Sequence, residues 1–281
     1  MKTGLIDVGG GFRGIYGAGV MDYFMDNDIH FDYTIGVSAG SANIASYLAG
    51  QRGRNVAFYT VYSERKRYAS FLNYFKKRSY LDLDYVYREL SKKDGENPLD
   101  YKKLMENPAE YKIVACNAYT GETKYFTKDD LSEDDYEPLI ASSSLPVICP
   151  PCYVGGDPYY DGGISDPIPF QKAFDDGCDK LVIILTKPRD FRRDAEDDNL
   201  FASIISKNYP EAGKRLYNRY KTYNYSLDLA EEYAKEGKIL IIAPDDTCGL
   251  STIKRTTEGL FQFYAKGYND AKAVKDFLKE D

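Results

Sequence analysis

The chain has 281 residues, of which 43% are hydrophobic, and this length and composition allow one sizeable buried core. Its 44 acidic against 37 basic residues leave a net charge of −7, which argues against a nucleic-acid partner, since nucleic-acid-binding proteins usually carry a basic surplus. We see no signal-peptide pattern and no stretch approaching the roughly 18 apolar residues of a membrane span, so we expect a soluble, cytoplasmic protein.

The N-terminal part alternates between predicted strands and predicted helices. An apolar run at residues 4–8 predicts a strand, and a glycine-rich turn and a helix at 15–25 follow it. Residues 33–37 predict a second strand, which leads directly into Ser38 and a helix at 39–49. Strand, turn and helix in repeated succession indicate a parallel sheet with helices on both faces.

Later segments predict further elements of the same layers. Residues 52–80 are basic and aromatic, and we interpret them as helices that cover the sheet edge or form a cap. A turn at Thr120 and Gly121 predicts a hairpin. The remaining predicted elements are a short helix at 139–145, an extended piece at 159–161, strands at 181–186 and 239–243, and long helices at 217–235 and 256–278. We expect a single domain over 1–281, with a core at about 3–190 and a helical part at about 191–281.

The glycine-rich turn fits the pattern G-x-G-x-x-G over residues 9–14. Backbone amides in such a turn converge at a helix N-terminus and bind negative charge. That charge is either the pyrophosphate of a dinucleotide or the oxyanion formed in acyl transfer. A dinucleotide site needs an acidic residue at the end of the second strand, whereas Asp32 lies at its beginning. The pattern therefore favours an oxyanion site.

Ser38 lies in a G-x-S-x-G motif between the second strand and its helix. This is the context of a nucleophile elbow, in which a sharp turn exposes the serine and flanking glycines allow close packing. Ser38 is the predicted nucleophile.

Serine needs a base, and the sequence restricts the choice. The single histidine, His30, precedes the second strand, whereas Ser38 follows it, roughly 25 Å away along an extended chain. A Ser-His-Asp triad is therefore nearly excluded, and we interpret His30 as a surface residue. A carboxylate or a lysine must then serve as the base. Asp161, followed by Gly162 and Gly163, is the best carboxylate candidate for the base.

Together these motifs resemble the patatin-like phospholipases, a family that pairs a GGGxRG loop, a GxSxG elbow and a later DG[AG] motif. Residues 141–146 and 165–169 resemble the family segments on either side of the aspartate, and the resemblance covers about residues 3–190. It implies a three-layer α/β/α sandwich with a mostly parallel sheet, a Ser-Asp dyad, no cofactor or metal, and calcium-independent hydrolysis of lipid acyl esters. Val8 departs from the acidic residue that relatives often carry before the glycines.

The predicted site follows from these motifs. Ser38 and Asp161 are the predicted catalytic pair, and the amides of Gly10, Gly11 and Phe12 are the predicted oxyanion donors. Arg13 is expected to brace the loop or to meet an anionic head group. The supporting motif residues are Gly9, Arg13, Gly14, Gly36, Gly40, Gly162 and Gly163.

Two further features leave alternatives open. Cys149 and Cys152 form a C-x-x-C spacing, but the prolines between them favour packing in a loop over a redox pair or a zinc site. The basic and aromatic residues 65–78 would suit transient contact with an anionic membrane, although a solvated cap helix is the simpler interpretation. A small-ester carboxylesterase and a weakly catalytic lipid-binding regulatory protein remain alternative functions. The sequence does not distinguish phospholipid, lysophospholipid and neutral-lipid substrates.

Overall fold

The structure is a computed structural model that describes residues 1–70, 73 and 79–279. Within these ranges eight strands form one mixed sheet. The strands are β1 (Thr3–Asp7), β2 (Tyr33–Val37), β3 (Glu110–Asn117), β4 (Thr123–Phe126), β5 (Cys152–Val154), β6 (Asp157–Asp161), β7 (Lys180–Ile184) and β8 (Ile239–Ile242).

The strand order is β5-β6-β3-β2-β1-β7-β8, with β4 paired to β3. Neighbouring strands from β3 through β2, β1 and β7 to β8 are parallel, whereas β4, β5 and β6 pair antiparallel. The predicted, mostly parallel sheet and the β3–β4 hairpin are both confirmed.

Helices cover both faces of the sheet. Their bounds are α1 (Ile15–Asp26), α2 (Ala39–Leu48), α3 (Arg54–Thr60), α4 (Tyr101–Glu106), α5 (Glu137–Ser143), α6 (Phe170–Asp175), α7 (Asn199–Ile205), α8 (Pro210–Tyr217), α9 (Arg219–Lys235), α10 (Thr257–Asp270) and α11 (Val274–Phe277). No helix in the described ranges is both long enough and apolar enough to cross a bilayer.

Two hydrophobic cores confirm the three-layer α/β/α arrangement. Successive strand side chains point to opposite faces. Leu5 of β1 accordingly packs with Tyr16 of α1 and Ile44 of α2, whereas its neighbour Ile6 packs in a separate core with Phe170 of α6 and Leu227 of α9.

The C-terminal part shares these layers. Strand β8 lies beside β7, and α10 packs so closely on α1 that a Cβ added at Gly267 would lie 2.1 Å from the Tyr16 carbonyl oxygen. The predicted single helix at 256–278 is wrong in one respect. It ends at Asp270, and a 3₁₀ turn at Ala271–Ala273 precedes α11. Ala271 and Val274 are both buried and lie three residues apart. A 3₁₀ turn has three residues per turn and therefore brings both side chains to the same buried face.

Candidate active site

Ser38 occupies a strained turn between β2 and α2. Its φ of 57° and ψ of −133° lie outside the regions that a serine normally adopts. The flanking glycines permit this turn. A Cβ at Gly36 would lie 2.3 Å from the Cα of Ser41, and one at Gly40 would lie 2.2 Å from the Asp7 carbonyl oxygen. The backbone therefore has the form of a nucleophile elbow.

Ser142 of α5 braces this elbow. Its hydroxyl accepts a hydrogen bond of 2.9 Å from the Ser38 amide and makes another of 2.8 Å with the Ser41 hydroxyl. Both contacts are buried. Because backbone strain persists only where surrounding contacts enforce it, we infer that α5 helps to hold Ser38 in position.

Strand β3 brings Ser38 and Asp161 together. Strand β4 pairs with residues of β3 that also pair with β2 and with β6, so β4 must occupy the opposite edge of β3 from both. Strands β2 and β6 therefore follow one another along a single edge of β3. Along that edge Val37, the last residue of β2, pairs with Val114, and Asp161 pairs with the next residue, Ala115. The residue after Val37 is Ser38, so the sheet register brings the serine and the aspartate to the same end of one β3 edge, where both line one cavity.

Asp161 is buried, with 2% of its surface exposed. Its Oδ1 accepts a hydrogen bond of 2.8 Å from the Gly163 amide, whereas Oδ2 accepts none from any described residue. Burial raises the pKa of this carboxyl, and its interaction with the Ser38 hydroxyl and the charge of Arg219 act in the opposite direction. The Ser38 hydroxyl therefore lies close enough to influence the carboxyl, although the two do not form a hydrogen bond of normal geometry.

The glycine loop lines the same cavity as Ser38 and Asp161. Gly9, Gly10 and Gly11 all have positive φ, at 63°, 124° and 60°. The amide of Gly9 donates to Asp7 Oδ1 at 2.9 Å, and the hydroxyl of Thr186 donates to the Gly9 carbonyl. No described residue accepts from the amides of Gly10 and Gly11. These two amides are therefore free to bind an oxyanion.

Phe12 departs from the prediction. Its amide donates to the carbonyl oxygen of Thr252 at 3.2 Å, so this N–H is occupied and is not available to an oxyanion. Thr252 lies in the loop before α10, far away in sequence. The Phe12 side chain instead lines the apolar cavity next to Ser38.

The remaining motif residues have mainly packing roles. Arg13 is buried behind Gly10, and its Nη2 lies 3.3 Å from the Thr252 hydroxyl. Glycine is needed at Gly14 and Gly162, because a Cβ there would lie 2.4 Å from the Tyr59 hydroxyl and 2.3 Å from the Val114 carbonyl oxygen, respectively.

Replacing Gly11 with alanine is expected to lower kcat for ester hydrolysis about 100-fold, because a Cβ there would lie 2.1 Å from the Thr252 carbonyl oxygen and would displace a predicted oxyanion donor. Gly155 offers a matched control, since its φ is also 60° but an added Cβ meets nothing within 4 Å. Steady-state kinetics of Gly11→Ala and Gly155→Ala test this expectation. Equal losses in the two variants would contradict the role of the loop.

Asp7 is a site residue that the sequence reasoning missed. It is fully buried at the end of β1, where it binds the Gly9 amide and, through Oδ2, the Asn43 amide at 2.9 Å. Burial raises the pKa of Asp7 to about 6. Asp7 stands one residue before Val8 and thereby supplies an acidic group close to the glycines. The sequence does contain a signal for this role, because Asp7 is a carboxylate near the end of a predicted strand and shortly before the glycine loop.

His30 and the cysteines lie apart from this site. The side chain of His30 is 73% exposed and pairs with Asp28 at 2.8 Å, which confirms its surface position. Cys149 and Cys152 are free thiols, and burial raises the pKa of Cys149 to about 11. A redox cysteine needs a lowered pKa, so this finding argues against a redox pair.

Two basic residues in the described part of the segment form ion pairs within the protein. Arg65 pairs with Glu96 at 2.6 Å, and Arg67 pairs with Glu89. Most of the second half of the segment lies outside the described residues, including Lys76 and Lys77, so membrane contact stays a prediction.

Two cavities meet at Ser38. One is mostly apolar, and its walls include Phe58, Leu83 and Val86. The other is polar and contains Asp161 and the glycine loop. An ester carbonyl at Ser38 could therefore place an apolar group on one side and a polar group on the other.

An elbow serine, a buried carboxylate and the glycine loop thus line one cavity. Serine hydrolases use these same components. The patatin-like phospholipase family model matches residues 8–174, which is more than half of the chain. The chain belongs to the patatin-like phospholipase family and thus to a family of lipid acyl hydrolases. A second model, for a domain of unknown function named DUF6363, matches residues 209–280.

Relatives were also found among individual proteins. The uncharacterized protein YjjU of Escherichia coli strain K12 is 29% identical over 192 residues, which cover 66% of this chain and 52% of that protein. The chain thus spans about half the length of this relative. The crystal structure of VipD from Legionella pneumophila aligns with a TM-score of 0.49 at 14% identity, covering 98% of this chain and 67% of that one.

Proposed function

We propose that the protein hydrolyses carboxylic esters of lipids, with Ser38 as nucleophile and Asp161 as general base. The observation that carries this proposal is the meeting of three features at one point. They are the elbow serine, a buried carboxylate oxygen without a hydrogen-bond partner among the described residues, and an apolar cavity that opens at the serine.

The proposed reaction has two half-reactions. Asp161 Oδ2 takes the hydroxyl proton while Ser38 Oγ attacks the ester carbonyl, and the amides of Gly10 and Gly11 stabilise the resulting oxyanion. The tetrahedral intermediate breaks its bond to the alcohol, which leaves with the proton from Asp161. Water then attacks the acyl-enzyme and gives one proton to Asp161. The second tetrahedral intermediate breaks its bond to Ser38 Oγ, which takes that proton back from Asp161 as the fatty acid departs.

The apolar cavity predicts a preference for acyl groups longer than acetyl. Each additional buried methylene contributes about 0.8 kcal/mol, or about fourfold in kcat/KM, until the chain fills the cavity. We therefore expect kcat/KM to rise steeply along a series of p-nitrophenyl esters from acetate to longer chains. Constant kcat/KM along the series would favour the small-ester carboxylesterase. Absence of turnover throughout would favour a lipid-binding regulatory protein.

The raised pKa of Asp161 predicts the pH dependence. The base must be ionised, so kcat/KM should fall as the pH drops through the pKa of Asp161. Burial places that pKa above the value of about 4 for an exposed aspartate. The acid limb of the pH–rate profile should therefore lie above about pH 4. A profile that stays flat down to about pH 4 would be inconsistent with a buried aspartate base.

A further inference from the structure

The polar cavity beside Ser38 is lined by four basic side chains. Arg13 follows the glycine loop, Lys187 follows β7, and Arg193 and Arg219 come from the C-terminal part. Two of them lie next to the reacting groups. A Cβ added at Gly10 would lie 3.2 Å from Arg13 Nη2, and one added at Gly163 would lie 3.1 Å from Arg219 Nη2. We name these four residues the cationic cluster.

The cluster carries more positive charge than its acidic neighbours balance. Asp198 lies 3.1 Å from Arg193 and 3.7 Å from Arg219, and Asp197 lies 3.8 Å from Arg193. Within the described ranges Arg13 and Lys187 form no ion pair with a carboxylate. When Lys187 is protonated, a single positive charge remains over Asp197, Asp198 and an ionised Asp161, and a second remains when Asp161 takes the serine proton.

The hydrogen-bonding capacity of the cluster is also unfilled. Arg13 is 8% exposed, and its buried Nε donates to no described residue. The Nε atoms of Arg193 and Arg219 are likewise buried and without a partner from the described residues. An unpaired buried N–H is costly, and an anion bound in the cavity would offer acceptors to several such donors at once.

The four cations also oppose one another. Burial, followed by the charge of Arg193, lowers the pKa of Arg13 to about 10. Burial, followed by Arg13 and Arg193, lowers the pKa of Lys187 to about 7. An anion in the cavity would relieve this repulsion and would favour the charged forms.

We propose that the cationic cluster binds a phosphate group on the alcohol part of the ester substrate. This inference rests on the proposed function, since it places the acyl chain in the apolar cavity and the phosphate-bearing alcohol in the polar one. Arginine forks match phosphate oxygens in geometry, and the surplus charge suits a phosphomonoester, which carries about −1.5 to −2 at pH 7. Arg219 lies in the region matched by DUF6363, so this region contributes to substrate recognition.

Binding can be measured separately from catalysis. Isothermal titration calorimetry is expected to show that the Ser38→Ala protein binds glycerol 3-phosphate. Adding Lys187→Gln or Arg193→Gln to that protein should raise the dissociation constant about tenfold or more. Arg192→Gln is the matched control, because Arg192 is adjacent in sequence but pairs with Asp228 at 2.6 Å on the surface. Arg193→Gln removes ion pairs to Asp197 and Asp198 and could destabilise the fold. Lys187→Gln removes no ion pair to a described carboxylate, so weaker binding in that variant cannot be attributed to such a loss. Absence of binding, or equal loss in the Arg192 control, would overturn the proposal.

Kinetics identify the source of the phosphate. Three esters with one acyl chain are compared: a monoacylglycerol, its 3-phosphate, and the corresponding phosphocholine. The 3-phosphate should have the lowest KM, and Lys187→Gln should reduce its KM advantage over the monoacylglycerol about tenfold, whereas Arg192→Gln should leave that advantage unchanged. If the protein bound inorganic phosphate but had the same KM for all three esters, the cluster would bind phosphate without recognising it on the substrate, and the proposal would be overturned. Turnover of all three at equal KM would reject this inference and leave the proposed ester hydrolysis standing.

Discussion

Replacing Ser38 with alanine is expected to lower the rate of ester hydrolysis by about 10⁴-fold or more, since removal of a catalytic serine eliminates the covalent route. The hydroxyl is the only group lost, and alanine tolerates the φ of 57° no worse than serine does. Steady-state kinetics with a long-chain chromogenic ester measure the effect. His30→Gln is a control that should retain full activity, because that side chain is exposed and pairs with Asp28.

The strain at the elbow separates a catalytic effect from a folding effect. Glycine adopts positive φ without a Cβ penalty, so Ser38→Gly should be more stable than Ser38→Ala by about 1 kcal/mol. Both variants should be equally inactive. If Ser38→Gly hydrolysed esters while Ser38→Ala did not, distortion of the turn rather than loss of the hydroxyl would explain the result.

Replacing Asp161 with asparagine is expected to lower kcat by about 10³- to 10⁴-fold, as for other orienting or basic carboxylates in serine hydrolases. Asparagine cannot accept the serine proton, yet its oxygen can still accept the 2.8 Å hydrogen bond from the Gly163 amide. Because burial raises the pKa of Asp161, the ionised form costs folding free energy at neutral pH. The variant should therefore unfold at the same temperature as the wild type or at a higher one.

Asp157 offers the matched control for this substitution. It begins the same strand, β6, but is exposed, so Asp157→Asn should leave both kcat and the unfolding temperature unchanged. Retained activity in Asp161→Asn would reject the Ser38–Asp161 dyad. A loss of activity accompanied by a much lower unfolding temperature would indicate a structural role for Asp161 instead.

The parts of the fold that the sequence predicted are those set by local pattern. Apolar runs that end in glycine turns predicted β1, β2 and the helices after them, and these elements are confirmed. The elbow at Ser38 was predictable because its geometry depends on glycines two residues away on either side. The single histidine lies at the opposite end of β2 from Ser38, and this separation alone pointed to a carboxylate base.

The parts that the sequence did not predict depend on contacts between distant residues. Phe12 lost its predicted role because its amide binds the Thr252 carbonyl, a contact across most of the chain. The basic residues Arg193 and Arg219 carry no local motif, and only the packing of the C-terminal helices brings them to the cavity beside Ser38. Likewise, the register that places Asp161 one residue beyond Val37 along β3 arises from three strands that are separated in sequence.

The central claim is that the Ser38 hydroxyl is the activated nucleophile, and covalent labelling tests it most directly. The full chain would be treated with a fluorophosphonate and the modified peptide identified by mass spectrometry. We predict one adduct, on Ser38, formed much more slowly in Asp161→Asn and not at all in Ser38→Ala. An adduct on a different residue, or undiminished labelling of Ser38→Ala, would contradict the account.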